Sequence, residues 1–146
     1  LIAILSRINT CTLKFKYYNS RFKIRPGLFL RESIILCDNV AIVHTNKDRE
    51  ELEIIIVTSS KFRKKKAIPI VKGFLKRYPE VEREYNRLKK IIEEQTYYFQ
   101  IIRKGSLRKY IFLENIYTTC VKSAYTPAAI ESIKIARGQI NFNERG

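Results

Sequence analysis

Leu52-Glu53-Ile54-Ile55-Ile56-Val57-Thr58 is the stretch on which the fold turns. Four consecutive β-branched residues, 54–57, have no polar face, so the run suits an interior strand covered on both sides. Upstream, 33–37 and 40–45 are also β-rich, and Asp38-Asn39 between them predicts a two-residue hairpin turn. The polar Asn46-Lys47-Asp48-Arg49-Glu50 leads into the central run. Three strands joined by short polar turns predict a small antiparallel sheet.

Downstream, the period changes from that of strands to that of helices. Pro69 opens a helical segment over 70–78, and Pro79 suits the first turn of a second helix, where its missing N–H costs nothing. Glu80, Glu82 and Glu84 follow, in the turns where the helix dipole favours acids. Val81, Tyr85, Leu88, Ile92, Gln95, Phe99 and Ile102 recur at 4-3 spacing, which predicts one long helix over 79–104, stopped by Gly105. Tyr110-Ile111-Phe112-Leu113 reads as a fourth strand. Thr126 reads as the N-cap and Pro127 as the first residue of a last helix ending at Gly138. The expected fold is α+β: a three- to four-stranded antiparallel sheet packed by a long helix and a C-terminal helix. The expected domain plan is a basic N-terminal extension, 1–27, one α+β domain, 28–138, and a polar tail, 139–146.

Charge indicates the class of partner. Lysine and arginine outnumber acids 29 to 14, a net charge of +15. No acid precedes Glu32, whereas Arg7, Lys14, Lys16, Arg21, Lys23, Arg25 and Arg31 do. Phe15, Tyr17, Tyr18, Phe22 and Phe29 are interleaved with them, as side chains that stack on unpaired bases or pack against a partner. Two further blocks fall at element junctions: Lys61, Arg63, Lys64, Lys65 and Lys66, then Arg103, Lys104, Arg108 and Lys109. Cations converging on short loops suit phosphate positioning on folded RNA. The early residues, rich in Arg, Lys, Ser and Thr, have the composition of a mitochondrial transit peptide and equally of a basic anchoring arm.

The sequence carries few of the residue patterns that catalysis requires. His44 is the single histidine and reads as a hydrogen-bonded strand residue. Phosphate-binding glycine loops and nucleophile elbows are missing, and five glycines are too few and too scattered to build one. Asp48, Glu50, Glu51 and Glu53 read as a solvated turn balancing Lys47 and Arg49. Cys11, Cys37 and Cys120 lack zinc-site spacing and read as buried or idle thiols in a reducing compartment. Apolar runs stop at five residues, against about 20 for a membrane span. No cofactor and no metal are expected.

RNP1-type aromatics, GXXG loops and zinc-finger spacings are missing as well. A small α+β domain with a long cationic tail is, by composition and shape, the physical type of ribosomal proteins. The expectation is a non-enzymatic structural protein of a mitochondrial ribosome in the matrix, partnered by ribosomal RNA and neighbouring ribosomal proteins rather than acting as a free monomer. The alternative is an accessory subunit of an organellar respiratory or import complex.

Overall fold

A computed structural model of the chain describes residues 13–25, 33–48, 51–59, 68–103, 105 and 107–145. It is α+β, with a three-stranded antiparallel sheet, a mixed five-stranded sheet and four α-helices among the described residues. The strands are β1 (Lys14–Tyr18), β2 (Arg21–Arg25), β3 (Ser33–Leu36), β4 (Val40–Asp48), β5 (Glu51–Thr58), β6 (Ile68–Pro69), β7 (Tyr98–Ile102) and β8 (Ala124–Tyr125). The helices are α1 (Lys72–Arg77), α2 (Pro79–Ile91), α3 (Arg108–Thr119) and α4 (Pro127–Arg145). The first sheet has order β1-β2-β3 and the second β6-β7-β5-β4-β8, with β4 and β8 parallel.

The interior strand is where its residues place it. Leu52 through Thr58 are all buried, and β5 has a partner on each edge, β4 and β7. Val43, Leu52, Ile54, Ile56 and Ile102 join one core cluster with Phe112, Leu113, Ile116 and Ile133 from α3 and α4. Ile42, Ile55 and Val57 join a second cluster with Phe74 of α1, Val81 of α2 and Tyr78 between the two helices. The uninterrupted β-branched run therefore supplies both clusters.

The long helix divides. Helix α2 stops at Ile91, and residues 98–102, expected to be helical, pair with β5 as Ile54↔Ile102 through Thr58↔Tyr98. A helix running on would leave one edge of the buried Leu52–Thr58 run without hydrogen bonds, a cost that local helix periodicity cannot offset. Gln95, the polar break in the 4-3 pattern, sits at the division, and its Nε2 donates to Ser59 O at 2.7 Å. Tyr110-Ile111-Phe112-Leu113 is not a strand but the interior of α3, with Lys109, Phe112, Leu113 and Ile116 buried.

Asp38-Asn39 does not close a hairpin. Cys37–Asn39 forms a short 3-10 turn that carries the chain from one sheet to the other, since β3 pairs with β2 and β4 with β5. Thr126 does cap α4, its Oγ1 accepting from Ala129 N at 3.2 Å, with Pro127 as first residue. Gly138 does not end that helix, which runs on to Arg145, so the tail expected from 139 is helical backbone.

The extension expected over 1–27 is folded where it is described, at residues 13–25. Leu13, Phe22 and Ile24 are fully buried, and the rings of Phe15 and Phe22 lie 5.2 and 5.5 Å from Phe112. Residues 13–25 therefore belong to the folded body, because alternation at 22–25 gives β2 an apolar inner face. Residues 1–12 lie outside the described residues. The cysteines also depart from expectation: Cys37 and Cys120 are joined by a disulfide across 83 residues, tying the first sheet to the end of α3. Cys11 lies outside the described residues.

Gly105 makes the turn into α3 with φ +133, and a Cβ there would lie 2.5 Å from Leu13 Cβ. Only glycine supplies both that backbone angle and that approach. No helix among the described residues is long and apolar enough to cross a membrane.

Candidate nucleic-acid interface

Strands β1 and β2 are joined by Asn19 and Ser20, whose φ angles of 50 and 60 give the two-residue turn that matches strand twist. The register is Lys14↔Arg25, Lys16↔Lys23 and Tyr18↔Arg21, alternating with Phe15↔Ile24 and Tyr17↔Phe22. Because side chains alternate across a strand, the first set shares the outer face and the second the inner. Lys14, Lys16, Arg21, Lys23 and Arg25 are all exposed, and Tyr18 stands among them at 53% exposure. Along each strand the cations recur about every 6.8 Å, and across the pair about 5 Å separates them.

None of these five cations forms an ion pair with a described acid. Like charges directly opposite on a sheet are destabilising, so the ladder opposes folding unless an anion answers it. Half-buried Ile34 and Leu36 of β3 continue the same face, opposite Lys23 and Arg21. The surface is thus a cationic ribbon at the sheet edge with an apolar border.

The other expected phosphate contacts fare differently. Arg7, Lys61, Arg63, Lys64, Lys65, Lys66 and Lys104 lie outside the described residues. Arg103 is exposed, but its Nε is held by Glu53 Oε2 at 2.7 Å. Arg108 is exposed too; its Nε donates to Leu13 O at 2.7 Å, and its guanidinium lies 5.1 Å from the centre of the Phe15 ring. Lys109 is not a surface cation at all. It is 1% exposed, and its Nζ donates to Glu51 Oε2 (3.0 Å), Leu52 O (2.7 Å) and Arg103 O (2.9 Å). All three ammonium donors are used inside the protein, where they clamp the start of α3 to β5 and to the end of β7.

Of the arm's aromatics, Phe15 and Phe22 pack inward and Tyr17 leans on Phe22 at 5.0 Å, which leaves Tyr18 as the ring on the cationic face. Phe29 lies outside the described residues.

His44 lines a cleft of about 330 Å³ with Arg77, Glu80, Glu131 and Ser132. Its Nδ1 is 2.7 Å from Thr126 Oγ1, as expected of a bonded strand histidine. Thr126 is fully buried as the α4 cap, and Ser132 is bonded to Thr45 at 2.8 Å. Burial lowers the His44 pKa from its ordinary 6.5, against an upward pull from the Glu80 carboxylate. The ring is therefore neutral at pH 7. Of the expected acidic turn, Glu51 binds Lys109 and Glu53 binds Arg103; Glu50 lies outside the described residues. No group of three His, Cys, Asp or Glu among the described residues is placed to hold a metal ion.

The alternating cations at 14, 16, 21, 23 and 25 were visible as a period-2 pattern, with Phe22 and Ile24 between them. The role of Lys109 had a fainter signal: 109, 112, 113, 116 and 120 share one helix face, with a lysine in an apolar slot. No protein-family model matches the chain, and comparison with curated proteins and with solved structures likewise finds no match.

Proposed function

We propose that the protein is a non-enzymatic RNA-binding component of a ribonucleoprotein, with ribosomal RNA and neighbouring ribosomal proteins as partners and a mitochondrial ribosome as its setting. One observation carries this reading: five exposed cations in cross-strand register on one ribbon, paired with no described acid. Phosphates answer such a ladder, and each one neutralised releases condensed counterions. Tyr18 offers a ring on which an unpaired base can stack. The phosphate contacts fix the protein on a folded RNA without reading sequence.

The disulfide favours a second reading. Such bonds persist in oxidising compartments, which suits an accessory subunit of an organellar respiratory or import complex, its ribbon facing acidic lipid. In the reducing matrix that the first reading requires, Cys37 and Cys120 stand as neighbouring thiols.

Sedimentation of the tagged protein from its own cells, with and without RNase, separates the two. Migration with large particles that RNase dissolves is the expected result. Light sedimentation regardless of RNase, or recovery with salt-washed membranes, rejects the ribonucleoprotein assignment.

A further inference from the structure

Between α1 and the β6–β7 edge lies a cleft of about 470 Å³, within the ~300–1,000 Å³ range of small-molecule sites. Its floor is aromatic. Phe74 and Phe99 stack with centroids 4.0 Å apart and planes at 22°, and Tyr78 closes on Phe74 at 5.1 Å. The two rings turn faces to each other, so the surface left for a ligand at the mouth is aliphatic: Ile68 at 48% and Val71 at 61% exposure. Exposed branched aliphatics over a buried apolar floor favour a flexible hydrocarbon that removes them from water.

Charge selects the ligand's head group. Arg77 and Arg103 line the cleft, and no acidic side chain among the described residues does. Arg77 has only a cation–π contact, 6.0 Å from the Tyr78 ring, and no ion pair among the described residues. Arg103 commits Nε to Glu53, leaving its two terminal nitrogens without a partner among the described residues. Guanidinium groups bind carboxylates through paired N–H donors.

We propose that this cleft binds a free straight-chain carboxylate of medium length, the chain on Ile68, Val71 and Phe74 and the head group on Arg77 and Arg103. The site shares no residue with the cationic ribbon, so it stands or falls independently of RNA binding.

Calorimetric titration with dodecanoate, below its micelle concentration, tests the assignment on the full chain. One-to-one binding is expected, tightening about twofold to fourfold per methylene from octanoate to dodecanoate. Dodecan-1-ol should bind at least tenfold more weakly. Arg77→Gln should weaken dodecanoate about tenfold while leaving the alcohol unchanged. Gly73→Leu fills the cleft: a Cβ at Gly73 meets nothing within 4 Å, and leucine is the better helix former, so the variant should fold and bind neither compound. No binding by the wild type, equal affinity for acid and alcohol, or undiminished binding by a folded Gly73→Leu protein each overturns the proposal.

Discussion

Replacing Lys16, Lys23 and Arg25 together with glutamine removes one partner of the Lys14↔Arg25 pair and both of the Lys16↔Lys23 pair, leaving Lys14 and Arg21 in place. Each phosphate contact contributes about 0.7–0.9 to the slope of log K against log salt. Three lost contacts should therefore flatten the slope by roughly 2–3 units, whatever the remaining cations contribute. Between 50 and 200 mM salt, a fourfold change, the variant should lose about 20- to 40-fold less affinity than the wild type. Fluorescence anisotropy with a labelled RNA hairpin, titrated at four salt concentrations, reads both slopes. Stability moves the other way. The three side chains are exposed and face like charges, so the melting temperature should hold or rise slightly. An unchanged slope refutes the ribbon as the phosphate contact. A fall in melting temperature beyond about 5 °C refutes the claim that the ladder opposes folding; a 1 kcal/mol loss shifts a domain of this size by several degrees.

Reducing the Cys37–Cys120 bond should lower stability by up to about 4.5 kcal/mol, from the loop-closure entropy of an 83-residue separation, read as a lower guanidinium midpoint under reducing conditions. Lys109→Met should cost about 2–4 kcal/mol, because Leu52 O and Arg103 O lose their buried donor. Glu51→Gln should cost far less, since Glu51 is 72% exposed; equal losses would contradict the clamp. The depressed His44 pKa gives stability that is present above about pH 6.5 and lost as pH falls, because the unfolded imidazole takes up a proton that the buried ring resists. Melting curves from pH 7.5 to 5 should therefore be steeper for the wild type than for His44→Gln, and parallel curves would refute the linkage.

Elements whose local chemistry admits one structure were legible in the sequence. Residues 54–57 cannot form an amphipathic helix and must be covered on both faces, and Thr126-Pro127 carries its cap in its own side chains. The 4-3 pattern over 81–102 misled because its last members, Phe99 and Ile102, also suit a strand; what decides is the empty edge of β5, a tertiary fact. At 110–113, four apolar residues hold no period, and only burial of Lys109, Phe112, Leu113 and Ile116 on one face identifies the helix. The disulfide depends on two cysteines brought together by packing between sheet and helix, which spacing cannot reveal. The ribbon's cations stand out by charge alone, whereas their setting depends on the alternation that buries Phe22 and Ile24.

That alternation joins the ribbon's two faces into one heritable unit. Inserting one residue into Lys23-Ile24 would exchange them locally, driving a lysine or arginine toward Phe112 and an isoleucine into water. Inserting two would restore both. Length variation in this hairpin is therefore permitted in even steps and suppressed in odd ones, so selection for a sound interior also fixes which positions face water. Their charge is not fixed in this way: a ladder that opposes folding would be lost by substitution in a lineage that no longer used it.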